Sequence, residues 1–163
     1  MTFALISCQK TAVKKQAKID EIEFSYSSGL RIPHNKVLIN ISRSYSKDSA
    51  VVLVISKPLF DTPQWKNSEI NKKLRIDMPT FEKLAEATQS FEKINMDKAH
   101  AIGNDGSTWK IEFGSKGKNK SYSFWSPNSD SKKRGLTEFV NLCEQIVVIS
   151  NLNKEEILGD YLQ

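Results

Sequence analysis

Two cysteines in 163 residues are too few for a disulfide scaffold. Seven glycines and five prolines exclude a collagenous or linker-like chain. No apolar run approaches the roughly 18 residues that a membrane-crossing helix requires. The two histidines, His34 and His100, lie far apart, and no Cys-x-x-Cys, His-x-x-x-His or His-Glu-x-x-His spacing accompanies them. A metal site is therefore not expected. Gly-x-Ser-x-Gly is missing as well. Gly114-Ser115-Lys116-Gly117-Lys118 lacks phosphate-loop spacing and falls between two expected strands, where no helix follows to complete the cradle. No catalytic residue and no cofactor are expected. The alternative carried forward is a hydrolase that draws on His34 or His100 with nearby acids.

What the chain does have is core-forming mass. It is 39% hydrophobic and 26% charged, with eight Phe, three Trp and four Tyr. That composition suits one globular domain. The formal charge of +5 invites a nucleic-acid reading, but its distribution argues against one. Lys10, Lys14, Lys15 and Lys18 precede the first acid, Asp20, and the remainder is nearly balanced. A nucleic-acid binder carries its excess on a folded face, because phosphate neutralisation supplies much of its affinity. No nucleic-acid partner is expected. One local excess runs from Lys110 to Arg134, and acids dominate after it. This reads as a solvated hairpin tip beside an acidic helix.

Hydrophobic spacing gives the architecture. Residues 21–26 alternate Ile22, Phe24 and Tyr26 against polar neighbours, and residues 36–42 alternate Val37, Ile39 and Ile41 against Leu38 and Asn40. The run Ala-Val-Val-Leu-Val-Ile-Ser at 50–56 predicts a central strand covered on both faces. A weaker strand is expected at 72–76, after a long loop that carries Trp65. Asp77 and Pro79 open a helix whose buried stripe is Phe81, Leu84, Ala85, Thr88 and Phe91. Next comes an expected meander of 99–102, 108–113 and 121–125, its first turn at Asn104-Asp105-Gly106. A second helix carries Leu136, Phe139, Val140, Cys143, Ile146 and Val147. Cys143 lies on that stripe and reads as a buried, inert thiol. A last helical turn is capped by Asn153 and closed by Gly159. The expected fold is α+β, a largely antiparallel sheet of about six to seven strands with two main helices packed on one face.

The amino terminus carries an address. Leu5-Ile6-Ser7-Cys8 resembles the lipobox of bacterial lipoproteins, with an aliphatic residue at −3, a small one at −1 and the cysteine that accepts the lipid. The resemblance implies lipidation of Cys8 and a membrane partner through that anchor. Residues 1–7 would be the remnant of an export signal, 8–18 the lipidated cysteine and basic tether, and 19–163 a single domain. So short a leader, with no basic residue before Cys8, points to initiation upstream of Met1. Gln9 after the cysteine resembles an outer-membrane sorting signal, and the implied location is the bacterial cell envelope, facing the periplasm. Lysines in such a tether add roughly 1 kcal/mol each beside anionic headgroups.

Further along, Asp105-Gly106-Ser107-Thr108-Trp109 and Phe124-Trp125-Ser126-Pro127, with a helix after them, resemble a pattern in small uncharacterised bacterial envelope proteins. That resemblance implies no catalytic residue. The function expected from the sequence is a non-enzymatic envelope lipoprotein domain that binds a protein or ligand, its sharper form an immunity protein that neutralises a toxin. Lys116, Lys118, Lys120, Trp125 and Trp65 are the candidate partner-binding residues, by the logic of aromatics set among cations. Core and edge packing is the alternative for the tryptophans.

Overall fold

A computed structural model of the chain describes residues 18–29, 34–46, 48–57, 69–115 and 117–159. The leader, Cys8, most of the tether, Trp65 and Lys116 lie outside the described residues.

The alternating segments form six strands, β1 (Glu21–Ser28), β2 (Lys36–Arg43), β3 (Ser49–Lys57), β4 (Ile70–Asp77), β5 (Ser107–Ser115) and β6 (Lys118–Trp125). They pair antiparallel in one sheet of order β4-β3-β2-β1-β5-β6. Among the described residues five α-helices complete an α+β fold: α1 (Met78–Ala87), α2 (Met96–Ala99), α3 (Ser131–Arg134), α4 (Thr137–Ile149) and α5 (Lys154–Leu158). One sheet face is predominantly apolar. Phe24 sits opposite Ile39 on β2 and Ile111 on β5, and all three are fully buried. Each such side chain contributes about 1.5–3 kcal/mol by leaving water. Phe81 and Leu84 of α1 and Phe139, Leu142 and Ile146 of α4 supply the other side of that core.

Local chemistry sets the helix ends. The Asp77 carboxylate caps α1 by accepting from the Thr80 N–H at 2.8 Å. At Thr88 the chain tightens into a 3₁₀ turn, Thr88–Lys93, with the Thr88 hydroxyl donating to the Ala85 carbonyl. This turn carries Phe91 against Phe113, Tyr122 and Phe139, with ring centroids 6.1, 5.3 and 5.3 Å away. The Asn153 side chain caps α5 as expected, accepting from the N–H groups of Glu155 and Glu156.

Four expectations change. Residues 99–102 form no strand, because Asn95 caps α2 by accepting from the Lys98 N–H and Ala99 ends a helical turn. Asn104-Asp105-Gly106 is therefore a loop leading into β5, and no hairpin forms there. The weak strand at 72–76 is a full edge strand, β4, whose Lys72 ammonium donates to the Asn151 carbonyl just past α4. Gly159 closes α5 as expected, at φ −59° and so without a left-handed backbone. Most consequentially, β3 is not covered on both faces: Leu53 and Ile55 are 40% and 41% exposed.

Candidate binding surface

The two halves of the uncovered face differ. Registers place Lys73 of β4, Leu53 of β3, Asn40 of β2, Glu23 of β1 and Glu112 of β5 in one row across it. The neighbouring row holds Asn71, Ile55, Leu38, Ser25 and Lys110. On the β1–β5 side two of the three acids have partners, since Asn40 donates to Glu21 and Lys110 lies 2.7 Å from Glu112. The Lys110 ammonium in turn holds the Glu112 carboxyl below its ordinary range. On the β2–β3–β4 side Leu38, Leu53 and Ile55 are adjacent, with Lys57, Lys73 and Arg75 around them. Among the described residues none of these three cations pairs with a carboxylate.

The two histidines are separated in space as in sequence. His100 is exposed at the end of α2. His34 is 4% exposed and is held at both ring nitrogens: Nδ1 lies 2.9 Å from the Ser56 hydroxyl and Nε2 3.3 Å from the Glu156 carboxylate. The tautomer with its proton on Nε2 satisfies both contacts. Serine, histidine and glutamate thus line up, but the Ser56 hydroxyl belongs to a residue only 1% exposed on the helix-covered face. A nucleophile must reach its substrate. The array instead joins the start of β2, the end of β3 and α5. Cys143 is fully buried, and desolvation pushes its thiol well above the ordinary value.

The candidate residues of the 110–134 stretch do not converge. Lys118 and Lys120 share the helix-covered side of β6 with Tyr122 and Phe124, and the Lys120 ammonium pairs with Glu92. Trp125 projects to the opposite face. There it lies against the loop before β5, so close that a Cβ on Gly103 or Gly106 would meet its ring at 2.2 or 2.6 Å. The Ser126 N–H donates to the Ser107 carbonyl at 2.6 Å, and the Trp109 indole N–H donates to the Ser107 hydroxyl at 2.8 Å. Arg134, counted above with the basic tip, is buried. Its guanidinium donates to the carbonyls of Ala99, Trp125, Ser126 and Ser129 at 2.7–3.1 Å. Desolvation lowers its affinity for the proton, and Asp130 nearby opposes that. The Asp-Gly and Trp-Ser-Pro pattern is therefore a packing and hydrogen-bonding knot. Residue type alone gave no signal of that role for Arg134, whereas the uncovered face had one clue, the apolar residues at both phases of β3.

No protein-family model matches the chain, and no curated protein matches it in sequence.

Proposed function

We propose that this chain is a non-catalytic binding domain of the bacterial cell envelope, held by a lipid on Cys8 at the outer membrane facing the periplasm, and acting on a protein partner. One observation supports the binding role above the others: the sheet leaves a face open to solvent and sets Leu53 and Ile55 on it, one strand in from the β4 edge. Isolated exposed aliphatics are ordinary, whereas adjacent ones ringed by polar groups mark contact surfaces. Of the two histidines that a hydrolase could draw on, His34 is tied into the scaffold by Ser56 and Glu156, and His100 lies apart from it at the end of α2. Support for the envelope role comes from Leu5-Ile6-Ser7-Cys8 and the lysine-bearing spacer after it.

Intact-mass analysis of the protein from native cells tests the anchor. The expected mass is that of a chain beginning at a diacylglyceryl-modified Cys8. An unacylated chain that retains Met1 overturns the envelope role.

A further inference from the structure

The strand β3 carries apolar residues at both phases of its alternation. Ala50, Val52 and Val54 point into the core, while Val51, Leu53 and Ile55 point away from it. A solvent-facing strand face reads as polar, and an apolar run of this kind belongs to strands covered on both sides. The face outside β3 has no cover among the described residues. Leu38 on β2 lies across from Ile55 and extends the apolar centre sideways.

Charge decides what kind of cover fits. Lys57, Lys73 and Arg75 border this centre, and among the described residues none of them pairs with a carboxylate. An apposed surface that supplies acids at the rim satisfies them, while its apolar centre displaces water from Leu53 and Ile55. A lipid surface fits less well. It is broad, and the same sheet face carries Glu21, Glu23 and Glu112 a strand or two away, which anionic headgroups would repel. A second copy stacked patch upon patch would set Lys73 and Arg75 against their own counterparts.

We infer that the β2–β3–β4 half of the open face docks a protein whose contact surface has an apolar centre rimmed by aspartate and glutamate. This rests on the reading of the chain as a binding domain and specifies where it binds and what it binds.

A selection of random 15-residue displayed peptides on the full chain tests it, with the enriched peptides then synthesised and titrated. Enriched peptides are expected to combine acidic residues with aliphatic or aromatic ones. Their affinity is expected to fall at least ten-fold in the Lys73→Glu/Arg75→Glu variant and in Leu53→Asp. The charge-matched control Lys132→Glu/Lys133→Glu, on exposed α3 residues, is expected to change it less than two-fold. Circular dichroism and melting confirm that each variant is folded. Binding equally weakened by the control, or insensitive to both open-face variants, overturns the assignment. Peptides displaced by Val148→Asp on α4 would overturn the site while leaving the binding role standing. Sedimentation with phosphatidylglycerol vesicles that is lost in Leu53→Asp would overturn the class of partner, and a dimer lost in the same variant would do so as well.

Discussion

The two faces of one sheet obey different constraints. On the helix-covered face every strand places aliphatic or aromatic residues inward, and Phe24, Ile39, Val52 and Ile111 are fully buried. On the open face the composition changes within three strands. The β1–β5 half is polar, and Glu21 and Glu112 on it have partners, as solvent alone would allow. The β2–β3–β4 half is apolar at its centre and has cations at its rim that pair with no carboxylate among the described residues. Folding accounts for the first face and for half of the second. The remaining half has no cover among the described residues, and the proposed binding role is assigned to it.

The largest expected effect lies on the covered face. Phe24→Ala should cost about 3–5 kcal/mol of stability, by lost burial and the cavity left between Ile39 and Ile111. Chemical denaturation measures it. A loss near 1 kcal/mol would mean that the two faces are less different than described.

Arg134→Lys comes next, at about 1–3 kcal/mol. An ammonium cannot reach the four carbonyls that the guanidinium fork serves, and buried carbonyls without donors are costly. The same melts should show Lys132→Ala to be neutral, which separates the buried arginine from its exposed neighbour.

Gly103→Ala should cost about 1–3 kcal/mol through overpacking, because the new Cβ would lie 2.2 Å from Trp125. Trp125→Leu combined with Gly103→Ala should then be milder than the sum of the two. Strict additivity would show that Trp125 and the glycine loop are not in contact.

Asp20 gives a smaller, pH-dependent effect. Hydrogen bonds from Lys18 and then Ser115, with the Arg43 charge adding, hold its carboxyl below its ordinary value of 3.8. A lowered folded-state value contributes stability that is complete above about pH 4 and is lost as pH falls through the folded value. Asp20→Asn should flatten that acid limb and leave the slope between pH 6 and 8 unchanged, as read from denaturation across pH. An unaltered acid limb would contradict the pairing.

The smallest effect belongs to the open face. Leu53→Ala and Lys73→Ala should each shift stability by no more than about 0.5 kcal/mol, because neither side chain holds the fold.

Much of this fold could be read from spacing. The alternation in 21–26 and 36–42, the Asp77–Pro79 helix start and the stripe ending at Val147 all describe local periodicity, which packing then obeys. Failures came where a distant partner decides. Residues 99–102 carried a strand-like pair of apolar residues before an Asp-Gly turn. The Asn95 cap and the Trp125 ring, which no periodicity reveals, make that segment a helical turn and a loop instead. Arg134 looked like one cation among several until its carbonyl partners came into place around it. His34, Ser56 and Glu156 meet only because three separate segments converge. On β3 the apolar pattern was seen, and the cover it asks for is absent from the described residues. The candidate site came from that discrepancy.

Site-specific photo-crosslinking in native cells tests the account most directly, with the photoreactive residue placed at Leu53 and, separately, at Val148 on α4. The expected result is a protein adduct at position 53 that disappears when Lys73 and Arg75 are reversed to glutamate, with no such adduct from position 148. Adducts confined to position 148, or an adduct at 53 indifferent to those charge reversals, would contradict it.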